Sequence, residues 1–227
     1  MGAPVEPLPS GLGPARTSLA GAHVRLEPVE PGAHAESLYR LSHAQPEDAV
    51  LWTYLAYGPF ESRGALAAWL EERARSEDPL FFALVEQASG EAAGMASYLN
   101  IVPANGSIEI GHIWFAPSMQ KSRAATEAIY LLARHAFDEL GYRRLEWKCD
   151  ALNAASIRAA RRFGFTYEGT FRQHMVVKGR NRDTAWFALL DREWPAVRSA
   201  FERWLAPANF DAAGRQRTAL SALTSPR

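Results

Sequence analysis

Hydrophobic and polar positions alternate in short runs along this chain, and between those runs apolar residues recur at helical spacing. This predicts a mixed succession of strands and helices. In Ala22 to Pro28, Val24, Leu26 and Pro28 share one face and Arg25 and Glu27 the other, a first strand. Ala35, Leu38, Tyr39 and Leu41 define a helix face within Gly32 to Ala44. Leu66, Trp69 and Leu70 define another within Ser62 to Arg75, where Ser62 can cap. The aromatic segment Leu51 to Phe60 between them predicts a short helix or turn followed by loop. Leu80 to Glu86 and Ala92 to Val102 form a hairpin of buried strands, and Asn105-Gly106 signals the next turn. Ile108 to Phe115 is the third strand of this meander; it breaks at a proline and leads into a helix from Ala124 to Leu140, stopped by Gly141. That helix carries an apolar stripe of Ile129, Leu132, Ala133, Ala136, Phe137 and Leu140. A strand at Arg143 to Cys149 follows, then a helix capped by Asn153 and ending at Gly164. A hairpin of Phe165 to Val177 and Thr184 to Leu190 turns around Lys178 to Arg182, and a helix from Glu193 to Leu205 closes the fold. The order predicts an α/β fold with an antiparallel first half. The crossover from Ile108–Phe115 to Arg143–Cys149 predicts a parallel pair.

The 227 residues suit one sizeable domain, and 48% hydrophobic residues supply its core. We expect a disordered leader over 1–19, a single domain over 20–206 and a flexible C-terminal tail over 207–227. The leader lacks the compact apolar core of a secretory signal. No apolar run approaches the roughly 20 residues of a membrane helix. The 25 basic and 25 acidic residues balance, which argues against nucleic acid or an anionic membrane as main partner. The single cysteine, Cys149, excludes an intrachain disulfide and fits a reducing, cytoplasmic setting. Histidines and acids show no metal-ligand spacing, so no metal is expected.

The run from Ile108 to Glu127 joins a strand, a basic turn and a helix N-terminus, a combination that suits phosphate. Together with Asn153-x-x-Ser156 and Phe163-Gly-Phe-x-x-Glu-Gly169, this run resembles the GNAT acyltransferases. It is most similar to the branch containing the ribosomal-protein-alanine N-acetyltransferases. The resemblance covers about Ala20 to Leu205. It implies a mixed sheet with a splayed parallel strand pair, helices on both faces, and acetyl-CoA as co-substrate in the gap between the splayed strands. It further implies that Ile113, Trp114 and Phe115 pair with the pantetheine arm. Gln120, Lys121, Ser122, Arg123, Ala124, Ala125 and Thr126 would then meet the pyrophosphate. The family turn usually carries glycines, which let backbone approach phosphate closely. Here Lys121 and Arg123 stand in their place and add charge.

Acyl transfer to an amine needs a base, a polarised carbonyl and a proton for the departing thiolate. Glu109 lies eleven residues before Gln120, a spacing at which some GNAT enzymes carry a catalytic glutamate. His112, on the other face, is an alternative. In the resembling branch the residue matching Ser156 protonates the thiolate, and Asn153 could bond the CoA arm as well as cap its helix. That branch also places a glutamate at the position of Met175, which cannot act as a base. The base is then Glu109, the adjacent His174, or a water relay. Trp52, Tyr54 and Tyr57 fall where the family forms its acceptor pocket. The expected reaction is N-acetylation of a primary amine, on a small molecule or at a peptide or protein N-terminus, by direct attack in a ternary complex. The alternative is a non-catalytic acyl-CoA-binding domain for regulation or assembly. The last hairpin could also support a homodimer.

Overall fold

The computed structural model describes residues 2–224. Eight strands form one open sheet in the order β1-β2-β3-β4-β5-β6-β8-β7. They are β1 (Leu19–Ala20), β2 (Val24–Pro28), β3 (Leu80–Glu86), β4 (Ala92–Val102), β5 (Ser107–Phe115), β6 (Arg144–Asp150), β7 (Thr166–Val177) and β8 (Arg180–Leu190). Every neighbouring pair is antiparallel except β5 with β6. The helices are α1 (Pro31–Ser42), α2 (Arg63–Arg75), α3 (Arg123–Arg134), α4 (Ala154–Arg162), α5 (Trp194–Leu205) and α6 (Leu220–Thr224).

Period-two alternation sends the sheet's apolar residues to two separate cores. Leu38 of α1 and Leu66 and Leu70 of α2 cover Phe81, Ala83, Val85, Met95 and Trp114 on one face. On the other, α3, α4 and α5 cover Leu26, Phe82, Tyr98, Ile108, Ile110, Leu145 and Phe187. α3 is pinned by its own Glu127, a buried carboxylate that accepts from the backbone N–H groups of Ala22, His23 and Val24 at 2.9, 2.6 and 3.0 Å. A Cβ on Gly21 would stand 2.5 Å from that carboxylate, so a side chain there would push Glu127 off these three bonds.

The structure departs from the sequence-based expectations at three places. The long helix is α-helical only to Arg134; His135–Glu139 forms a wider π turn, with His135 Nδ1 and Glu139 Oε2 2.8 Å apart. The last hairpin turns on two residues, Lys178 and Gly179, rather than five, so β8 begins at Arg180. Their φ values of 50° and 72° supply the two left-handed positions that a tight two-residue hairpin requires. Finally, the described part of the expected C-terminal tail folds back over the domain. Leu220 is fully buried, and Trp204 Nε1 donates to Gln216 Oε1 at 2.7 Å. Among its described residues the leader has no regular element before β1, although Ser10 bonds Leu140 O and Arg16 bonds Ser76 O at 2.6 Å.

Candidate active site

The parallel pairing of β5 with β6 is short. It runs from Ser107↔Arg144 to Ile110↔Trp147 and stops. Beyond that point β5 pairs only with β4, and β6 only with β8. The inner backbone edges of Gly111–Phe115 and Lys148–Asp150 therefore face a gap. Two features turn β5 away. Gly94 on β4 lets the strands close up, since a Cβ there would meet Trp114 O at 2.6 Å. His112 sits in a bulge with φ +52°: Met95 pairs with Trp114 and Ser97 with Gly111, so β5 carries one residue more than β4. Such bulges bend a strand and end its pairing on the far side.

The gap leads along β5 into the turn before α3. Gln120 Nε2 donates to Phe115 O at 3.1 Å and closes the turn on the strand. Lys121 takes φ +60°, the left-handed conformation that a glycine would adopt more readily. Ser122 caps α3, its Oγ accepting from Ala125 N–H at 3.0 Å. Thr126 Oγ1 donates to Ser122 O at 3.2 Å. Ala124, Ala125 and Thr126 are buried, so the turn is bordered by their backbone and by Thr126 Oγ1. Among the described residues the amides of Lys121, Arg123 and Ala124 have no acceptor. Three free N–H groups at the positive end of a helix favour an anion.

On the β6 side, Asn153 caps α4 by accepting from Ser156 N–H at 3.0 Å. Ser156 Oγ accepts from Trp147 Nε1 at 2.9 Å and also lies in hydrogen-bonding reach of the Cys149 thiol. Burial pushes that thiol's pKa up, with Ser156 opposing. Tyr54 OH donates to Leu152 O at 3.1 Å, which brings the aromatic loop against the turn before α4.

Glu109 points away from Ile108 and Ile110, as its alternation requires, but it is not a surface carboxylate. It is 5% exposed. It accepts from Asn100 Nδ2 at 2.6 Å and pairs with Lys148 Nζ at 2.9 Å. Lys148 also reaches Glu146 at 3.1 Å and lies 3.8 Å from the centre of the Trp186 ring. Burial raises the Glu109 pKa, with Lys148 and Asn100 opposing. Lys148 escaped the sequence reading because its meeting with Glu109 depends on the register Glu109↔Glu146 across a parallel pair. The two-residue step from Glu146 to Lys148 is the only signal the sequence offered.

The remaining predicted residues fall into two groups. Trp52 is a core residue at 1% exposure, ringed by His43, Tyr57, Phe60 and Trp114. His112 stacks on Tyr57 and contacts Phe81, with centroids 5.6 and 4.9 Å away. Burial, followed by the charges of Arg73 and Arg182, lowers its pKa to about 4, so its ring is neutral at pH 7. His174 is exposed on β7, held to Thr184 Oγ1 at 3.0 Å and near Trp186. Trp186 stands between His174 and Lys148: its ring centre is 6.0 Å from that of His174 and 3.8 Å from Lys148 Nζ, which pairs with the buried Glu109. Met175 pairs with Arg182 across the hairpin. Lys178, at the hairpin tip, donates to Trp52 O and Gly58 O at 2.8 and 2.7 Å and ties this hairpin to the aromatic loop.

A sheet split between two parallel strands, with an amide-rich turn at the foot of one, defines an acyltransferase-type architecture. A profile of the Acetyltransferase (GNAT) domain matches residues 23–166, and the chain belongs to that family. A GCN5-related N-acetyltransferase structure from Brucella melitensis is 47% identical, superposes with a TM-score of 0.93, and is covered over 98% of its length by 96% of this chain. A GNAT-family acetyltransferase structure from Chromobacterium violaceum is 45% identical with a TM-score of 0.76, covering 86% of this chain and 98% of that one. YdaF of Bacillus subtilis (strain 168), provisionally named a ribosomal N-acetyltransferase, is 33% identical over 105 residues. That alignment takes in 46% of this chain and 57% of YdaF, little more than half of that curated relative. No described helix is long and apolar enough to cross a membrane, and no group of three or more His, Cys, Asp or Glu among the described residues is arranged to hold a metal ion.

Proposed function

We propose that the protein transfers an acetyl group from acetyl-CoA to a primary amine, on a small molecule or at a peptide or protein N-terminus, by direct attack in a ternary complex. The observation that carries this reading is the unpaired inner edges of β5 and β6 beyond Ile110 and Trp147, which lead to free amides at the head of α3. An extended arm with amide groups completes the pairing that Ile113, Trp114 and Phe115 lack. The amides of Lys121, Arg123 and Ala124 receive the pyrophosphate.

The chain's own groups then divide the chemistry. A backbone N–H at the start of the gap polarises the thioester carbonyl and holds the developing oxyanion. Glu109 takes a proton from the amine, directly or through a water. Its pKa, raised by burial above that of an ordinary carboxylate, suits a base, and Lys148 opposes the rise. The amine nitrogen forms the new C–N bond, the C–S bond breaks, and the sulfur leaves with the electron pair. Ser156, beside Trp147 at the end of the parallel pairing, donates the proton that makes the thiol and takes one back from water, while Glu109 releases its own to solvent. Tyr54, Tyr57, His112 and His174 form the acceptor side. Trp52 acts beneath them as support.

Acetyl-CoA turnover against a panel of amines tests this reading. Thiol release should depend on the amine, and Glu109→Gln should remove most of it. CoA binding without amine-dependent thiol release across the panel would contradict it.

A further inference from the structure

The first turn of α3 carries two guanidinium groups from different elements. Arg123 is its first residue. Arg162, at the end of α4, reaches over to donate from Nη2 to Thr126 Oγ1 at 3.2 Å. Neither has a carboxylate partner among the described residues. Each guanidinium instead lies against aromatic rings. Arg123 Cζ is 3.7 Å from the centre of the Phe210 ring, and Arg162 Cζ is 5.0 Å from that of Trp204. Phe210 and Trp204 meet edge to face at 5.2 Å.

The segment after α5 fixes this cluster. Gln216 accepts from Trp204 Nε1 at 2.7 Å and bridges to Phe210 through backbone. Asn209 donates to Trp204 O at 3.0 Å and accepts from Thr218 N–H at 2.9 Å. Thr224 Oγ1 donates to Arg162 O at 3.1 Å. A stretch with no evident core pattern in the sequence is therefore tied, contact by contact, to the two cations beside the turn. Two arginines without acids, next to three free amides at a helix N-terminus, leave a concentrated positive charge that a polyanion would satisfy. A guanidinium stacked on a ring keeps its in-plane N–H donors free for phosphate oxygens.

We propose that the C-terminal segment from Pro207 to Thr224 is a wall of the nucleotide end of the CoA site, with Phe210 and Trp204 holding Arg123 and Arg162 flat so that their edges meet the phosphates. This rests on the reading above that the head of α3 takes the CoA pyrophosphate. Arg123 and Arg162 bind; Phe210 and Trp204 are positioning residues. Deleting the segment should therefore not simply loosen the fold but selectively weaken the nucleotide-bearing donor.

The test compares wild type, Phe210→Leu and Arg123→Glu, each by calorimetric titration with CoA and by kinetics with acetyl-CoA and with acetyl-pantetheine, a thioester that has no nucleotide. Leucine keeps apolar volume under Arg123 and removes the ring face. The expected result for Phe210→Leu is a roughly 10-fold weaker CoA Kd. KM for acetyl-CoA should rise in step with kcat retained, and KM for acetyl-pantetheine should barely move. Gln216→Ala, which removes the acceptor of the Trp204 Nε1 hydrogen bond, should shift the same constants in the same direction by less, and supplies the answer if Phe210→Leu does not fold. Unchanged CoA affinity in both tail variants, with Arg123→Glu still weakening it, overturns the proposal and leaves the CoA reading standing. An equal rise in KM for acetyl-pantetheine also overturns it, because the effect would then be general loosening. Unchanged affinity in Arg123→Glu strikes the CoA reading itself.

Discussion

The two sides of the split sheet are made from different materials. On the proposed reading, the donor side, from Ile113 through the head of α3, presents mainly backbone: the inner edge of β5, the left-handed Lys121 and the free amides before and within the first turn of α3. The acceptor side presents side chains: Glu109 and Lys148 in a buried pair, His174 over Trp186, and His112 stacked between Tyr57 and Phe81. Backbone recognition tolerates sequence change so long as φ and ψ are met, which is how Lys121 can occupy a position where the family usually has glycine. Side-chain recognition does not tolerate such change, and position 175, where the resembling branch carries glutamate, holds methionine here.

Substitutions sharpen this contrast. The largest effect belongs to the acceptor side. Glu109→Gln should lower kcat by roughly 10²- to 10⁴-fold, the usual contribution of a positioned base, and leave CoA affinity intact. Wild-type kcat should fall at acid pH with an apparent pKa above the ordinary carboxylate range, because burial raises that of Glu109. A loss of under threefold in Glu109→Gln would transfer the role to His174 or to water. Ser156→Ala comes next: about 10- to 100-fold in kcat, less than for the base because water can protonate a thiolate. It should matter more for donors with poor leaving groups, and the same loss with an activated thioester would remove Ser156 from the proton path. On the donor side, Arg123→Glu should weaken CoA about tenfold through repulsion at the phosphates, with the deficit shrinking at high salt.

The smallest expected effect is on stability. The His112 pKa is depressed in the fold, from 6.5 to about 4. The folded state thus binds fewer protons than the unfolded chain between those values. The stabilisation is fully present above pH 6.5 and is lost as pH falls towards 4. This amounts to about 2 kcal/mol at most between pH 7 and pH 5. His112→Asn, which suits the left-handed backbone and does not titrate, should flatten stability over that window in denaturant melts at several pH values. Parallel curves for the two proteins would show that His112 is not the group responsible.

The fold was legible wherever periodicity governs. Ile108 and Ile110 mark β5, Asn153 marks the start of α4, and the stripe from Ile129 to Leu140 marks the buried face of α3 and its π turn; Trp114 keeps the spacing of Ile110 but lies in the opposite core because of the bulge at His112. The turn from β5 into α3, Gln120 to Thr126, was legible because a single segment carries it. What escaped depends on distances between segments. Lys148 meets Glu109 only because a parallel register sets Glu109 opposite Glu146. Lys178 ties down the aromatic loop from 126 residues beyond Trp52. Phe210 finds Arg123 after the chain has crossed α4 and α5, and neither residue signals the other. Burial of Trp52 follows from the same cause: an aromatic cluster in sequence does not say which rings face inward.

The most direct test of the account is initial-velocity kinetics of thiol release, with acetyl-CoA and an accepted amine both varied. Direct attack in a ternary complex predicts intersecting double-reciprocal lines, no thiol release without amine, and one amide formed per thiol. Parallel lines with a burst of thiol before amine is added would mean a covalent acyl-enzyme and would contradict the account.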